Sequence, residues 1–171
     1  MRAKTNVVAL IVAMFIFGVS TTPCGATPAS NDACSLVTQG QVSADVGVSV
    51  GPGEHVMPTA VKTCTWTPTD TTKGVKYVTV SFWDPKGYDG GKRLAELMAA
   101  QSKNDKGAAP MGTASASGIG DDAYYAMGSG YSALMVKKGN VALKIAIYGD
   151  MPIEKKKTAE KAIALQALSK L

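Results

Sequence analysis

Ala33-Cys34-Ser35-Leu36-Val37-Thr38-Gln39-Gly40-Gln41-Val42 is the stretch from which the fold can be read. Thr38 has the side chain of a helix N-cap, and Gln41 stands three residues later, where it can reach back to complete a capping box. Val37 and Val42 flank this start at the spacing of a hydrophobic staple. Val42 and Val46 then share a helix face, and Gly47 is suited to end it. Gly40 and the valines are poor helix formers, so a helix this short needs tertiary support. Cys34 offers it. A bond to Cys64, in Lys62-Thr63-Cys64-Thr65-Trp66-Thr67, would staple the helix start to a strand. Closing a loop of about 30 residues contributes about 3.6 kcal/mol on the chain-entropy account, less any strain.

The pairing depends on what happens at the N-terminus. Arg2 and Lys4 precede an apolar run from Val7 to Val19, and small residues follow in Ser20-Thr21-Thr22-Pro23-Cys24-Gly25-Ala26. This is the layout of a secretory signal peptide, and the run of about 13 residues is too short for a bilayer core that needs about 20. Cleavage is expected after Ala26, with a cut after Ala29 as the alternative. Removing residues 1–26 takes Cys24 with it and leaves an even pair of cysteines, as an oxidising compartment favours. The competing reading makes Cys24 a lipidated anchor, but Pro23 stands where a small residue is expected. The chain is therefore read as 1–26 signal peptide, 27–32 flexible leader and 33–171 a single domain, periplasmic or secreted.

The full chain carries a formal charge of +5, two of whose positive residues, Arg2 and Lys4, lie in the signal. The remainder is too weakly basic to imply nucleic acid as a partner. No later segment is long and apolar enough to span a membrane. A domain of this size can bury a core without metal or many disulfides.

Periodicity supplies the other elements. Lys62–Thr67 and Val75–Trp83 read as a hairpin in which Val78, Val80 and Phe82 face one way and Tyr77, Thr79, Ser81 and Trp83 the other. A helix is expected from about Asp89, as its N-cap, to Ser102, with Leu94, Leu97, Met98 and Gln101 on one stripe. Val48–Ala60, with Gly51-Pro52-Gly53 and Pro58, reads as an irregular connection or a weak edge strand, and residues 103–120 read as a long loop. Ala123–Met127, Tyr131–Lys137 and Val141–Tyr148 form a meander, and a last helix runs from about Ile153 with Ile163, Ala164, Ala167, Leu168 and Leu171 as its stripe. The expected fold is α+β: an antiparallel sheet of about five strands, helices on one face, and one disulfide.

Two motifs resemble a broad group of small bacterial secreted or envelope proteins, often lipoproteins. One is Ala33-Cys34-Ser35-Leu36-Val37-Thr38 followed by the distant Cys64-Thr65-Trp66, which is similar to a Cys-x-Leu-Leu-Thr helix start with a later Cys-x-Trp strand. The other is Gly118-Ile119-Gly120-Asp121-Asp122-Ala123, similar to a Gly-x-Gly-Asp-x-Ala turn. The resemblance implies a domain of unknown function without established catalytic residues, and the missing lipobox sets this chain apart from the anchored members.

Residues that could carry chemistry are few. His55 is the sole histidine, so common zinc and histidine-triad chemistries lack a second imidazole. Asp121 and Asp122 could hold a hard cation or act as a carboxylate pair, although a turn explains them as well. Gly118-Ile119-Gly120 lacks the third glycine and the strand context of a phosphate loop, and Gly128-Ser129-Gly130 lacks the spacing of a nucleophile elbow. Lys155-Lys156-Lys157 is read as a solvated face that could alternatively meet an anionic partner. Tyr77, Trp83, Tyr124 and Tyr125 are the aromatic residues most suited to a binding surface, on a sheet face left open. The expectation is a non-enzymatic, exported binding module without cofactor or metal, its partner a small ligand or another envelope protein. The alternatives are an inhibitor-type interaction protein, a membrane-tethered lipoprotein, and a carboxylate hydrolase at Asp121 and Asp122.

Overall fold

In the computed structural model, residues 31–102 and 111–171 are described. The signal, most of the leader and the first part of the expected 103–120 loop lie outside the described residues. After a 3-10 turn at Ala33–Ser35, the order is α1 (Gln39–Val46), β1 (Glu54–His55), β2 (Thr63–Trp66), β3 (Val75–Trp83), α2 (Pro85–Ser102), β4 (Gly112–Ser115), β5 (Asp122–Gly128), β6 (Tyr131–Lys138), β7 (Val141–Gly149) and α3 (Ile153–Leu168). The strands form one antiparallel sheet in the order β1-β2-β3-β7-β6-β5-β4.

The sheet therefore has seven strands, not about five. The two additions are its short edges, and each is held by a neighbour rather than by its own pattern. Glu54–His55 pairs with Thr65 and Cys64, and Gly112–Ser115 pairs with Met127 to Tyr124. Two residues after Gly51-Pro52-Gly53, and a Gly-Thr-Ala-Ser segment, contain no alternation to read.

The start of α1 forms as its sequence dictates. The Thr38 N–H donates to Gln41 Oε1 at 2.8 Å, the Gln41 N–H donates back to Thr38 Oγ1 at 3.3 Å, and Gly47 ends the helix at φ 70°. Cys34 and Cys64 are bonded. One core lies between the first sheet face and the helices α1 and α3, uniting Val42 and Val46 with Val78, Val80, Leu143, Ile145, Ile147, Ile163 and Ala167. Trp66, beside the disulfide, is part of it.

Helix α2 departs from the expected arrangement. It crosses the opposite sheet face, so the helices cover both faces rather than one: Tyr88 packs there on Tyr124, Met135 and Ala142, with Ala95 and Ala126 beside them. It also begins earlier, at Pro85, because Asp84 and not Asp89 caps it. Asp84 Oδ1 accepts from the Gly87 N–H at 2.9 Å, and proline suits the first helical position. Asp89 sits inside the helix and pairs with Lys137. The sheet-facing line is Tyr88, Ala95 and Ala99, at helical spacing. Leu94 and Met98 flank that line at its open edge, and with Leu97 they are exposed. Small residues win the interface because helix and sheet approach closely: a Cβ on Gly91 would stand 3.3 Å from the Tyr124 hydroxyl and 3.4 Å from the Trp83 ring.

Candidate ligand-binding groove

On the second sheet face the strand register arranges side chains in rows. Tyr77 lies opposite Tyr148, and Tyr148 opposite Tyr131. The Tyr77 and Tyr148 rings stack with centroids 4.2 Å apart, and Tyr131 tilts against Tyr148 at 5.2 Å. The next row is small, with Thr79, Ala146, Ala133 and Ala126 in register. Beyond it Ser81, Lys144, Met135 and Tyr124 are paired across four strands. Helix α2 covers Tyr124 but stops short of the tyrosine row. Between them lies an open cavity of about 200 Å³ whose lining includes Trp83, Leu94, Met98, Met111, Tyr131 and Lys144, with Tyr124, Ala126 and Met135 in its floor.

Lys144 is the cation of this groove. Its ammonium lies 5.7 Å from the centre of the Trp83 ring and 5.6 Å from that of Tyr131. Among the described residues it has no carboxylate or hydrogen-bond partner, and burial lowers its pKa. Neighbouring lysines are used differently. Lys92 Nζ meets both oxygens of Asp122 at 2.8 and 3.1 Å, and Lys137 pairs with Asp89. An aromatic pair can stabilise an ammonium, but less completely than a counter-anion can. Burial pushes the Tyr124 hydroxyl up to about 12, and shifts Tyr131 and Tyr148 the same way, so all three stay neutral near pH 7.

The residues singled out in the sequence fall in different places. Trp83 lines the groove, and Tyr77 is exposed at the end of the tyrosine row. Tyr124 is buried under α2. Tyr125 points into the first face, where its hydroxyl donates to the Lys157 carbonyl at 3.2 Å, so it is no part of an exposed surface. Asp121 and Asp122 do not converge. Asp121 Oδ2 accepts from the Gly139 N–H at 2.6 Å, and the hydrogen bond from Lys92 holds Asp122 below the usual carboxylate range. Gly118-Ile119-Gly120 is a turn that buries Ile119. Gly120 has φ 61°, and a Cβ there would strike the Lys137 carbonyl oxygen at 2.5 Å.

His55 Nδ1 lies 3.6 Å from Cys34 Sγ, and His55 Nε2 lies 3.5 Å from Asp32. These three residues form the one group among the described residues with metal-ligand spacing. The Cys34 sulfur is committed to the disulfide, which leaves two ligands at most. The lysine run is not a continuous basic face either. Lys155 is exposed, Lys156 is buried and donates to the Gly149 carbonyl at 2.7 Å, and Lys157 pairs with Glu154.

Lys144, Tyr131, Tyr148 and the Leu94–Met98–Met111 rim were not singled out from the sequence. A signal existed for part of this set. In Val141–Gly149 the positions opposite the apolar face are Ala142, Lys144, Ala146 and Tyr148, which places a lysine and a tyrosine together on the non-core side. Their meeting with Trp83 depends on β7 pairing with β3, which no local pattern announces.

No protein-family model, no curated protein and no solved structure matches the chain. Among the described residues no helix is long and apolar enough to cross a membrane.

Proposed function

We propose that this chain is an exported, non-enzymatic binding protein and that the groove between α2 and the second sheet face is its ligand site. The observation that carries this reading is a half-buried Lys144 without a carboxylate partner among the described residues, set in an apolar groove whose rim residues Leu94, Met98 and Met111 face solvent. A stripe of large apolar side chains is rarely left exposed beside a preformed concavity unless something covers it. Export is supported by the Cys34–Cys64 bond, by the leader pattern in residues 1–26, and by the resemblance to small bacterial envelope proteins. The dispersal of Asp121, Asp122 and His55 gives no convergent set for a hydrolytic reaction.

The test is binding of the fluorescent probe 1-anilinonaphthalene-8-sulfonate to the folded protein. We expect saturable binding to the wild type and its loss in Met98→Asp, with melting temperature unchanged because Met98 is outside the core. Equal binding to both proteins contradicts the assignment. N-terminal sequencing of the protein recovered from its own envelope or medium tests export: a start at Thr27 supports it, and an intact Met1 contradicts it.

A further inference from the structure

We infer that the ligand of this groove is a single-chain amphiphile with a carboxylate head, the head meeting Lys144 and the chain lying against the methionines under α2. The inference rests on the binding reading above and narrows it by chemistry.

The charge of the head follows from pairing. Lys92 and Lys137 on the same side of the sheet already hold Asp122 and Asp89, whereas among the described residues Lys144 has no carboxylate partner and stands between the Trp83 and Tyr131 rings. A cation withdrawn from water without a counter-ion is costly, so an incoming anion recovers free energy that a neutral group cannot. Among the described lining residues Lys144 is the one cation, and a single ammonium fits a monoanion better than a dianionic phosphate.

The shape of the body follows from the lining. Met98, Met111, Met127 and Met135 all contribute to the groove. Methionine is unbranched and adaptable, and suits a flexible partner more than a rigid one. At about 200 Å³ the cavity is smaller than the range of about 300–1,000 Å³ usual for drug-sized ligands, so a slender chain fits along it whereas a bulkier body, such as the anilinonaphthalene probe, enters in part and lies across its open mouth. The floor of Ala126 and Met135 is apolar, and Tyr131, at the end of the tyrosine row, closes one side. Tyr148 has Tyr77 stacked on it and Tyr131 tilted against it, so this row is a wall rather than a free stacking platform for a sugar.

The experiment is isothermal titration calorimetry at pH 7 with decanoate and decyltrimethylammonium below their micelle concentrations and decanol below its solubility limit. Wild type, Lys144→Gln and Lys144→Arg are compared, with folding checked by circular dichroism. Decanoate should bind the wild type roughly tenfold more tightly than decanol, as expected for one hydrogen bond to a charged group. Lys144→Gln should erase that difference while leaving decanol unchanged, and Lys144→Arg should keep it. From octanoate to decanoate, affinity should rise by about fourfold for each methylene that the groove covers. Equal affinity for decanoate and decanol, or an unaltered Lys144→Gln, overturns the carboxylate assignment but leaves the groove as an apolar site. If none of the three compounds binds while the anilinonaphthalene probe does, the amphiphile class is wrong and the groove reading stands. If the probe fails as well, both fall.

Discussion

Inside the core, the hydroxyl of Ser132 on β6 donates to Glu160 Oε2 on α3 at 3.0 Å. Glu160 is completely buried, and among the described residues Ser132 is the one side chain hydrogen-bonded to it. Burial dominates over Ser132, the Ile147 backbone and the nearby ammonium groups of Lys156 and Lys157, raising its pKa to about 8 from 4.5. A carboxyl of this kind is held protonated at neutral pH. Its proton is kept by the folded chain and lost by the unfolded one between those two values. Its contribution to stability is therefore greatest below about pH 4.5, falls as pH rises toward 8, and changes little beyond.

Glu160→Gln keeps the shape and the neutral hydrogen-bonding character, and should flatten that fall. Urea midpoints at pH 5 and pH 9 are the measurement. The wild type is expected to lose on the order of a few kcal/mol between them, and the variant markedly less. Parallel pH profiles for the two proteins would contradict the assignment.

The disulfide joins the first helical turns to β2 at the edge of the core. Replacing Cys34 and Cys64 together by serine should lower stability by about 2–4 kcal/mol, read from urea unfolding. Binding at the groove should be retained in the folded fraction, because α2 and β5 to β7 do not depend on that bond.

Two glycines separate backbone demand from helix propensity. Gly120→Ala should cost more than about 1 kcal/mol, since φ 61° and the Lys137 carbonyl both oppose a side chain. Gly90 lies on the exposed side of α2, with nothing within 4 Å of an added Cβ. Gly90→Ala should therefore stabilise by up to about 1 kcal/mol. Thermal melts of the two variants give opposite signs if the backbone is as described.

Trp83 and Tyr77 share a strand face but not a role. Trp83 lines the groove and flanks Lys144, whereas Tyr77 stacks on Tyr148 at the far end of the row. Trp83→Ala should weaken probe binding by about tenfold, as truncation of an aromatic anchor does, and Tyr77→Ala should leave it nearly unchanged. Fluorescence titration decides between these outcomes.

Much of the framework was legible because it is local. Thr38, Gln41 and Gly47 specify α1 by hydrogen bonds within a few residues, and Val141, Leu143, Ile145 and Ile147 specify β7 by alternation. Helix α2 was misread because Leu94, Leu97 and Met98 make the stronger apolar stripe, while the sheet accepts the narrower line of Tyr88, Ala95 and Ala99. Periodicity says which residues share a face; it does not say which face meets the core. The groove was illegible for a related reason. Trp83, Tyr131 and Lys144 come from three strands, and only the order β3-β7-β6 brings them side by side.

The most direct test of the groove uses the methionines as reporters. The protein is labelled with carbon-13 at the methionine methyls and titrated with the anilinonaphthalene probe in two-dimensional NMR. Met98, Met111 and Met135 line the groove, while Met151 lines a separate cavity between α1 and α3, and Met57 lies on an exposed loop. Saturable shifts at Met98, Met111 and Met135, with Met57 and Met151 unmoved, are the predicted result. Shifts centred on Met151 or Met57, with the groove methyls unmoved, would contradict it.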